Sequence, residues 1–371
     1  MVTAITPSYG TDLAEPRTMK IVHLADSLEV GGAEKLITLL CRWQRLQGHE
    51  ASVHCLYEIG TLGNELRCEG FQVVLHSRLA IGGYASSIYG KLKLDRPDVL
   101  HCHNAAAAIL GAIPARAARV KRIVVTRHGA VSPPYLWRRE LRFAVASRCC
   151  DWVVAVCEQA RNNLMAAPFA ARKKIVRIYN AASALNRDGV LAPSKAGFTL
   201  LNVGRLSPVK DQETLLKAFA IAKVETPDLQ LWIVGGGSLR TKLEGLSQQL
   251  GLSDSVTFFG ERADVSPFLL AADLFILSSI TEGLPISLLE ALAAGIPAIV
   301  TDVGGISEVA RLSDAAVTVP PSSPAALAAA ITKMAQARDQ LSHLGKIARQ
   351  CYVAHFTPER MASEYMTLYG N

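Results

Sequence analysis

The sequence predicts an α/β protein of two doubly wound domains, each a parallel sheet with helices on both faces, that face each other across a cleft. Short runs rich in Val, Ile and Leu alternate with helical segments of about 10 to 18 residues, as βαβ units require. The alternation stops over residues 181–197 and then restarts. A chain of 371 residues, 50% hydrophobic and 19% charged, is long enough for two domains and too apolar for disorder.

Apolar runs of strand length lie on both sides of the polar segment 181–197. The predicted strands before it are residues 20–25, 51–57, 71–76, 98–103, 122–127, 152–156 and 174–179. The predicted strands after it are residues 198–203, 229–234, 256–259, 274–277, 297–300 and 316–319. Residues 324–341 and 357–369 are helical by composition, and Thr357-Pro358 supplies an N-cap followed by proline at the first helical position.

Composition divides the chain into five parts. We expect a loose tail over residues 1–18, a first domain over 19–180 and a linker over 181–197, because that segment is small, polar and aperiodic. A second domain follows over 198–355. The C-terminal helix, 356–371, is expected to cross back to the first domain.

Cysteine usage and hydropathy predict a cytoplasmic protein. The eight cysteines include no C-x-x-C pair and most lie in apolar runs, which is typical of reduced core thiols. Residues 1–18 have no apolar core of a signal peptide. The stretches 105–115 and 286–300 are shorter than the roughly 18 to 20 residues that cross a bilayer.

The densest motif is residues 281–291, T-E-G-L-P-I-S-L-L-E-A, directly after the predicted strand 274–277. Pro285 suits the first helical position, which places Glu282 in the loop and Glu290 on the second helical turn. The free amides of a helix start can hold anionic or polyhydroxyl groups, and two carboxylates beside them suit sugar hydroxyls. The alternative is an exposed pair of glutamates stabilised by the helix macrodipole.

Other motifs also follow predicted strands, where twin open sheets place their ligand crevices. A glycine pair lets backbone amides approach a phosphate or an acceptor, two cations can neutralise a departing diphosphate, and an imidazole lies at the sheet edge. These motifs are Gly31-Gly32-Ala33-Glu34, Thr126-Arg127-His128-Gly129, Val203-Gly204-Arg205-Leu206 followed by Lys210, V-T-F-F-G at Val256–Gly260, and Gly304-Gly305, three residues before Glu308.

Together with the E-x7-E string, these motifs resemble the retaining glycosyltransferases of family four (glycosyl transferases group 1) across nearly the whole chain. The resemblance implies the GT-B architecture of two Rossmann-like domains, with the acceptor bound by the first and the donor sugar nucleotide held mainly by the second. It also implies a front-face reaction that keeps the anomeric configuration, in which the leaving phosphate takes the acceptor proton.

The resemblance assigns roles to individual residues. Glu282 would contact hydroxyls of the donor hexose, Glu290 the ribose, and Arg205 with Lys210 the diphosphate. His128 would lie beside the donor sugar and the acceptor as a positioning or polarising residue. This role is favoured over that of a general base. The predicted catalytic set is His128, Glu282, Arg205 and Lys210; the donor-binding set is Gly32, Arg205, Lys210, Glu282, Gly283, Leu284, Pro285 and Glu290; the acceptor or phosphate loop holds Gly31, Gly32 and His103; the nucleobase-side loop holds Glu261 and Arg262.

We expect no metal and no cofactor. The sequence has no D-x-D motif, and Arg205, Lys210 and helix amides can replace a metal ion on the diphosphate. His101 and His103 share one strand face, but no third ligand lies nearby in sequence, so we interpret them as a half-buried strand pair with His103 a cleft candidate. There is no P-loop, which argues against an NTPase.

The predicted function is hexose transfer from a nucleoside diphosphate sugar, with UDP favoured, to a hydroxyl of a glycan or lipid-linked acceptor in cell-surface polysaccharide or glycolipid synthesis. Two alternatives are kept. One is a sugar-nucleotide epimerase of the same fold, which the E-x7-E string disfavours. The other is a non-catalytic sugar-nucleotide-binding subunit.

Charge adds a candidate partner. The net charge is +7 with a pI near 9.0. Residues 1–180 hold 24 basic and 14 acidic side chains, against 15 and 18 in residues 181–371. Residues 115–148 carry a local +8 with Tyr135 and Trp137. This segment is either a solvated face or a contact with the anionic inner face of the plasma membrane, and it needs no nucleic acid partner.

Overall fold

The computed structural model describes residues 18–78, 82–129, 137–167, 171–185 and 192–370. Within these ranges the chain forms a seven-stranded sheet and a six-stranded sheet, and every strand pair is parallel. Helices alternate with the strands in both halves. The predicted fold class, two Rossmann-like domains, is confirmed.

The first domain has the sheet order β3-β2-β1-β4-β5-β6-β7. Its strands are β1 (Lys20–Ser27), β2 (Glu50–Glu58), β3 (Gln72–Leu75), β4 (Val99–His103), β5 (Arg122–Arg127), β6 (Trp152–Ala155) and β7 (Ile175–Arg177). Its helices are α1 (Gly32–Leu46), α2 (Gly60–Cys68), α3 (Gly83–Asp95), α4 (Asn104–Ala117), α5 (Trp137–Arg148) and α6 (Glu158–Ala166).

The second domain repeats the arrangement with the order β10-β9-β8-β11-β12-β13. Its strands are β8 (Phe198–Val203), β9 (Leu229–Val234), β10 (Val256–Gly260), β11 (Leu274–Leu277), β12 (Ala298–Thr301) and β13 (Ala316–Val319). Its helices are α7 (Gln212–Glu225), α8 (Arg240–Gln249), α9 (Ser266–Ala271), α10 (Ile286–Ala294), α11 (Gly304–Leu312), α12 (Pro324–Gln336) and α13 (Leu341–His355); α14 (Pro358–Gly370) closes the chain.

Continuous apolar runs form the central strands because helices cover both faces of each sheet. Every residue of β4, β8 and β11 is buried. The predicted strands 122–127, 198–203, 229–234, 274–277 and 316–319 coincide with observed strands. The predicted helix 324–341 ends at Gln336 as α12, and the sequence did not predict α13.

Both sheets reverse their strand order beside the first strand of each domain. The crevice of an open parallel sheet lies outside the carboxyl ends of its strands at this switch point. In the first sheet the switch point lies between β1 and β4, and in the second between β8 and β11. The loops that leave β1, β8 and β11 line one cleft.

The C-terminal helix crosses back to the first domain, as predicted. Tyr365 bonds the Thr126 hydroxyl of β5 at 2.9 Å, and Tyr369 bonds His101 Nδ1 of β4 at 2.7 Å. Just before the crossing, Phe356 is fully buried and its carbonyl accepts from the amide of Ala182. These contacts tie the end of the chain into the core of the first sheet.

Several sequence expectations fall partly outside the described residues. Residues 1–17 of the predicted tail, 186–191 of the linker, 130–136 of the basic segment and Asn371 are among them. All eight cysteines are described and unpaired, and Cys68 is the exposed one. In the described ranges, no helix combines the length and apolar character that crossing a bilayer would need.

Candidate active site

A cleft of about 780 Å³ lies between the carboxyl edges of the two sheets and is lined by loops of both domains. The first domain contributes the turn before α1 and the end of β5; the second contributes the loops after β8, β9, β10 and β11. The predicted site residues that line it are Gly31, Gly32, His128, Arg205, Lys210, Glu261, Arg262, Glu282, Gly283, Leu284, Pro285 and Glu290.

An ion pair between Lys210 and Glu282 lies at the centre of the second domain's side. The Ser279 hydroxyl donates to Glu282 Oε1 at 3.0 Å, and Ser278 donates to the carbonyl oxygen of Lys210 at 2.9 Å. The loops after β8 and β11 are thus bonded to each other and hold a cation and a carboxylate side by side. Such a pair can bind a phosphate and sugar hydroxyls respectively.

Glu290 lies on the second turn of α10, as predicted, and reaches across the cleft. Its Oε1 is 3.0 Å from the ammonium of Lys35 on α1. The prediction that Pro285 is the first helical residue is wrong by one position: Pro285 is the extended N-cap and α10 begins at Ile286. The helix still opens on the cleft, with its first amides free of intrahelical partners.

The turn after β9 brings backbone against the loop that carries Arg205. Gly235 and Gly237 have φ of +147° and +152°, and a Cβ on them would lie 2.0 Å from the Gly204 carbonyl oxygen and 2.3 Å from that of Leu206. Only glycine allows this approach. Arg205 lines the cleft beyond the turn, and its carbonyl oxygen accepts from the side-chain amide Nε2 of Gln212.

The glycine pair of the first domain opens α1 against the second domain. Gly31 is the N-cap, and a Cβ on Gly32 would lie 3.2 Å from Cγ1 of Ile286. The Glu34 side chain folds over Gly31. Burial raises the pKa of Glu34, and Arg205 across the cleft partly opposes this rise.

His128 follows β5 at the cleft wall. Its amide donates to Asn104 Oδ1 at 3.1 Å, and Asn104 has φ of +69°, a conformation uncommon outside glycine. The carbonyl oxygen of His128 would be 2.6 Å from a Cβ on Gly283. The loop that carries Glu282 therefore docks directly on the backbone of His128.

His103 does not lie on the cleft wall, which corrects its predicted place in an acceptor or phosphate loop. His103 is the last residue of β4 and is 2% exposed. Its Nδ1 lies 3.0 Å from His128 Nε2, so it contacts His128 without lining the cleft. The interpretation of His101 and His103 as half-buried is also wrong, because both are buried. His23 of β1, which pairs in register with His101, completes a three-histidine cluster.

A carboxylate of the second domain caps a helix of the first. The two Glu308 oxygens accept from the backbone amides of Glu158 and Gln159 at 2.9 and 2.8 Å, and Tyr179 donates to the same carboxylate at 3.3 Å. Glu308 thereby satisfies two first-turn donors of α6 and fixes the domains relative to each other.

Sequence reasoning missed three residues that bridge the two domains. They are Lys35, which pairs with Glu290; Asn180, whose amide donates to the Leu284 carbonyl oxygen at 2.8 Å; and Glu308 as a helix cap. Only Glu308 was named with a motif, and the partners of all three lie more than a hundred residues away in the chain.

The basic segment 115–148 is not one exposed surface. Arg127 is buried and paired with Glu140, Arg116 pairs with Asp151, and Lys121 with Asp98. Arg139 and Arg148 of α5 are also exposed, and four exposed residues spaced by three and four share one face of this helix: Arg138, Leu141, Arg142 and Val145. Tyr135 lies outside the described residues.

Two family models match successive parts of the chain, one in each domain. A model described as Glycosyltransferase Family 4 matches residues 30–183, and a model described as Glycosyl transferases group 1 matches residues 187–351. The chain belongs to the glycosyltransferase family that these two models describe together. The two matches meet at the predicted linker, and the facing Rossmann-like sheets are the GT-B fold.

The glycosyltransferase has relatives of named activity. It is 29% identical over 241 residues to "UDP-Gal:alpha-D-GlcNAc-diphosphoundecaprenol alpha-1,3-galactosyltransferase" of Escherichia coli, over 59% of this chain and 61% of that protein. It is 29% identical over 303 residues to "N-acetyl-alpha-D-glucosaminyl L-malate synthase" of Bacillus anthracis, over 77% of each. The crystal structure of Anabaena HepE with UDP-glucose shares the fold, with a TM-score of 0.83 at 20% identity over 95% of this chain and 100% of that chain.

The buried histidines of this glycosyltransferase predict a loss of stability in mild acid. Burial lowers the pKa of His23 and of His128 to about 4. Because these folded values lie below the unfolded value of about 6.5, the unfolded chain binds protons first as pH falls. The free energy of unfolding should decrease between about pH 6.5 and 4, by up to about 1.4 kcal/mol per pH unit for each such histidine.

Urea denaturation between about pH 7 and pH 5 checks this prediction. His23→Asn should reduce the slope, whereas His343→Asn, at an exposed position of α13, should leave it unchanged. A free energy of unfolding that stays constant or rises as pH falls through this window would contradict the burial of neutral imidazoles.

Proposed function

We propose that this glycosyltransferase moves a hexose from a UDP-sugar to a hydroxyl of a glycan or lipid-linked acceptor with retention of the anomeric configuration. One observation carries the proposal: a single cleft brings together the cations Arg205 and Lys210, the carboxylate of Glu282, an imidazole and the start of a helix. These groups match the parts of a sugar nucleotide, because the diphosphate needs cations and amides and the hexose needs hydrogen-bond acceptors.

Each side chain then has a chemical task. Arg205 and Lys210 bind the diphosphate, and a phosphate oxygen competes with Glu282 for the ammonium of Lys210. Glu282, released from this ion pair, accepts hydrogen bonds from hexose hydroxyls. Glu290 accepts from the ribose hydroxyls, and the amides at the start of α10 face the phosphates.

The reaction takes place on one face of the sugar. The bond from the anomeric carbon to the diphosphate oxygen breaks, and the acceptor oxygen bonds to the same face. The acceptor proton passes to the leaving phosphate oxygen. Arg205 and Lys210 stabilise the growing negative charge, so we propose a route without metal or cofactor. His128 positions the hexose.

The nucleobase and acceptor are proposed from the relatives. The Escherichia coli relative is named for UDP-Gal and a diphosphoundecaprenol-linked acceptor, and Anabaena HepE was crystallised with UDP-glucose. The loop with Glu261 and Arg262 lines the cleft on the side of β10 and is the proposed base-side loop. A role in cytoplasmic synthesis of cell-surface polysaccharide or glycolipid follows from this proposal.

Replacing Glu282 or Lys210 should strongly reduce turnover. We expect Glu282→Ala and Lys210→Ala each to lower kcat/KM at least about 100-fold, because each removes a group that acts on the transition state. Lys210→Ala should also weaken UDP binding, whereas Glu282→Ala should not weaken it, because it removes the carboxylate that competes with phosphate for Lys210. The measurement is release of UDP from UDP-hexoses, with and without acceptor.

Matched controls are Lys217→Ala and Glu225→Ala, both exposed on α7. Near wild-type turnover in Glu282→Ala and Lys210→Ala would show that the site assignment is wrong. An epimerised UDP-hexose formed from donor alone would favour the epimerase, and UDP binding without any turnover would favour a binding subunit.

We further propose that α5 rests on anionic lipid. Its exposed face holds Arg138 and Arg142 with the apolar side chains of Leu141, 41% exposed, and Val145, 52% exposed. Residues spaced by three and four share one helix face, and a face that mixes cations with apolar groups suits a headgroup boundary. This position would bring the first domain to a lipid-linked acceptor.

Vesicle sedimentation tests this contact. Each basic residue near an anionic surface contributes about 1 kcal/mol, so Arg138→Glu with Arg142→Glu should weaken binding to phosphatidylglycerol vesicles by more than about tenfold. Lys217→Glu with Lys333→Glu makes the same charge change at exposed positions of the second domain and should have little effect. Binding that ignores the anionic lipid content of the vesicles would exclude the proposal.

A further inference from the structure

A continuous chain of hydrogen-bonded side chains runs from the interior of the first sheet to the cleft. Gln44 Oε1 lies 2.9 Å from His23 Nε2, His23 Nδ1 lies 3.0 Å from His103 Nε2, and His103 Nδ1 lies 3.0 Å from His128 Nε2. Gln44, His23 and His103 are all buried, and only His128 reaches the cleft. The rings of His103 and His128 are stacked at 15°.

The direction of this chain follows from its buried end. Gln44 presents a carbonyl oxygen, which only accepts, so His23 carries its hydrogen on Nε2. Burial keeps the three imidazoles neutral, because it lowers the pKa of each of them. A neutral imidazole has one N–H, so His23 Nδ1 accepts from His103 Nε2, and His103 Nδ1 accepts from His128 Nε2.

We propose that Gln44, His23 and His103 are positioning residues that hold His128 in the tautomer protonated at Nε2, leaving its Nδ1 lone pair as the ring's ligand-binding atom. Within the described residues Nδ1 of His128 is buried without a hydrogen-bond partner. The ligand group that satisfies it is a hydrogen-bond donor, such as a sugar hydroxyl. The inference rests on the proposed function for the identity of that sugar but not for the tautomer.

A metal site is the competing interpretation of the same residues. The ligating nitrogens of His23, His101 and His103 lie within 4.8 Å of one another. However, His101 already bonds Thr126 through Nε2 and Tyr369 through Nδ1, at 2.8 and 2.7 Å. A metal would need nitrogens about 2.0 to 2.1 Å away, which would break bonds in the chain. The hydrogen-bonded arrangement uses both nitrogens of all three rings.

The tautomer is measured directly by long-range proton–nitrogen NMR on the full chain labelled with 15N-histidine. The wild type should show His128, His103 and His23 as neutral rings protonated at Nε2. His103→Leu removes the acceptor for His128 and should move the His128 signals. His103→Asn can place a carbonyl oxygen near the former Nδ1 and should restore them. The matched control is His101→Asn, which removes a buried imidazole that does not belong to the hydrogen-bonded series from Gln44 to His128.

Kinetics provide the second readout. His103→Leu should lower kcat for UDP-hexose turnover at least about tenfold, while His103→Asn stays within about threefold, because one hydrogen bond to a reacting sugar is lost or kept. UDP alone has no hexose, so its affinity should change less than about twofold in both variants. Gln44→Met, far from the cleft, tests the buried end if His103→Leu does not fold.

Three results would overturn the inference. The first is a wild-type His128 that carries its hydrogen on Nδ1 or is charged. The second is an equal effect of His103→Leu and His101→Asn on the His128 signals. The third is stoichiometric bound metal that is lost in His23→Asn. Failure of the proposed function would appear instead as absent turnover in the wild type, and the NMR test stands without turnover.

Discussion

The close docking of two backbone loops across the cleft is the constraint on which the site depends. A Cβ on Gly283 would lie 2.6 Å from the His128 carbonyl oxygen, and a Cβ on Gly305 would lie 2.9 Å from the Cβ of Cys157. Side chains at these positions would separate the domains. Because the loops touch, the carboxylate of Glu282 and the imidazole of His128 face the same volume, and Glu308 fixes this arrangement by capping α6.

Charge in the cleft is balanced by pairs that join different elements. Lys210 neutralises Glu282 between two loops of the second domain, and Lys35 neutralises Glu290 between the domains. These pairs are partly buried, so removing one partner leaves an uncompensated charge. The cleft thus holds its binding groups in place through interactions that an anionic ligand can exchange for its own.

The sequence predicted the elements and local motifs well because they depend on neighbouring residues. Strand periodicity located β8 and β9 at their observed bounds, and the string from Glu282 to Glu290 marked the loop and helix that line the cleft. It could not predict contacts that depend on which strands become neighbours. His23 lies beside His101 only because β1 and β4 are neighbours in the sheet, although β2 and β3 separate them in the sequence. No local sequence pattern indicates this register.

Nucleotide binding in the cleft is the central claim, and thermal denaturation with UDP, GDP and ADP tests it most directly. A ligand that binds the folded chain at 100 times its Kd adds about 2.7 kcal/mol of stability. UDP should raise Tm saturably in the wild type, and the rise should be lost in Lys210→Ala and Arg205→Ala but kept in Lys217→Ala. No rise with any of the three nucleotides, or a rise that persists in Lys210→Ala and Arg205→Ala, would contradict the account.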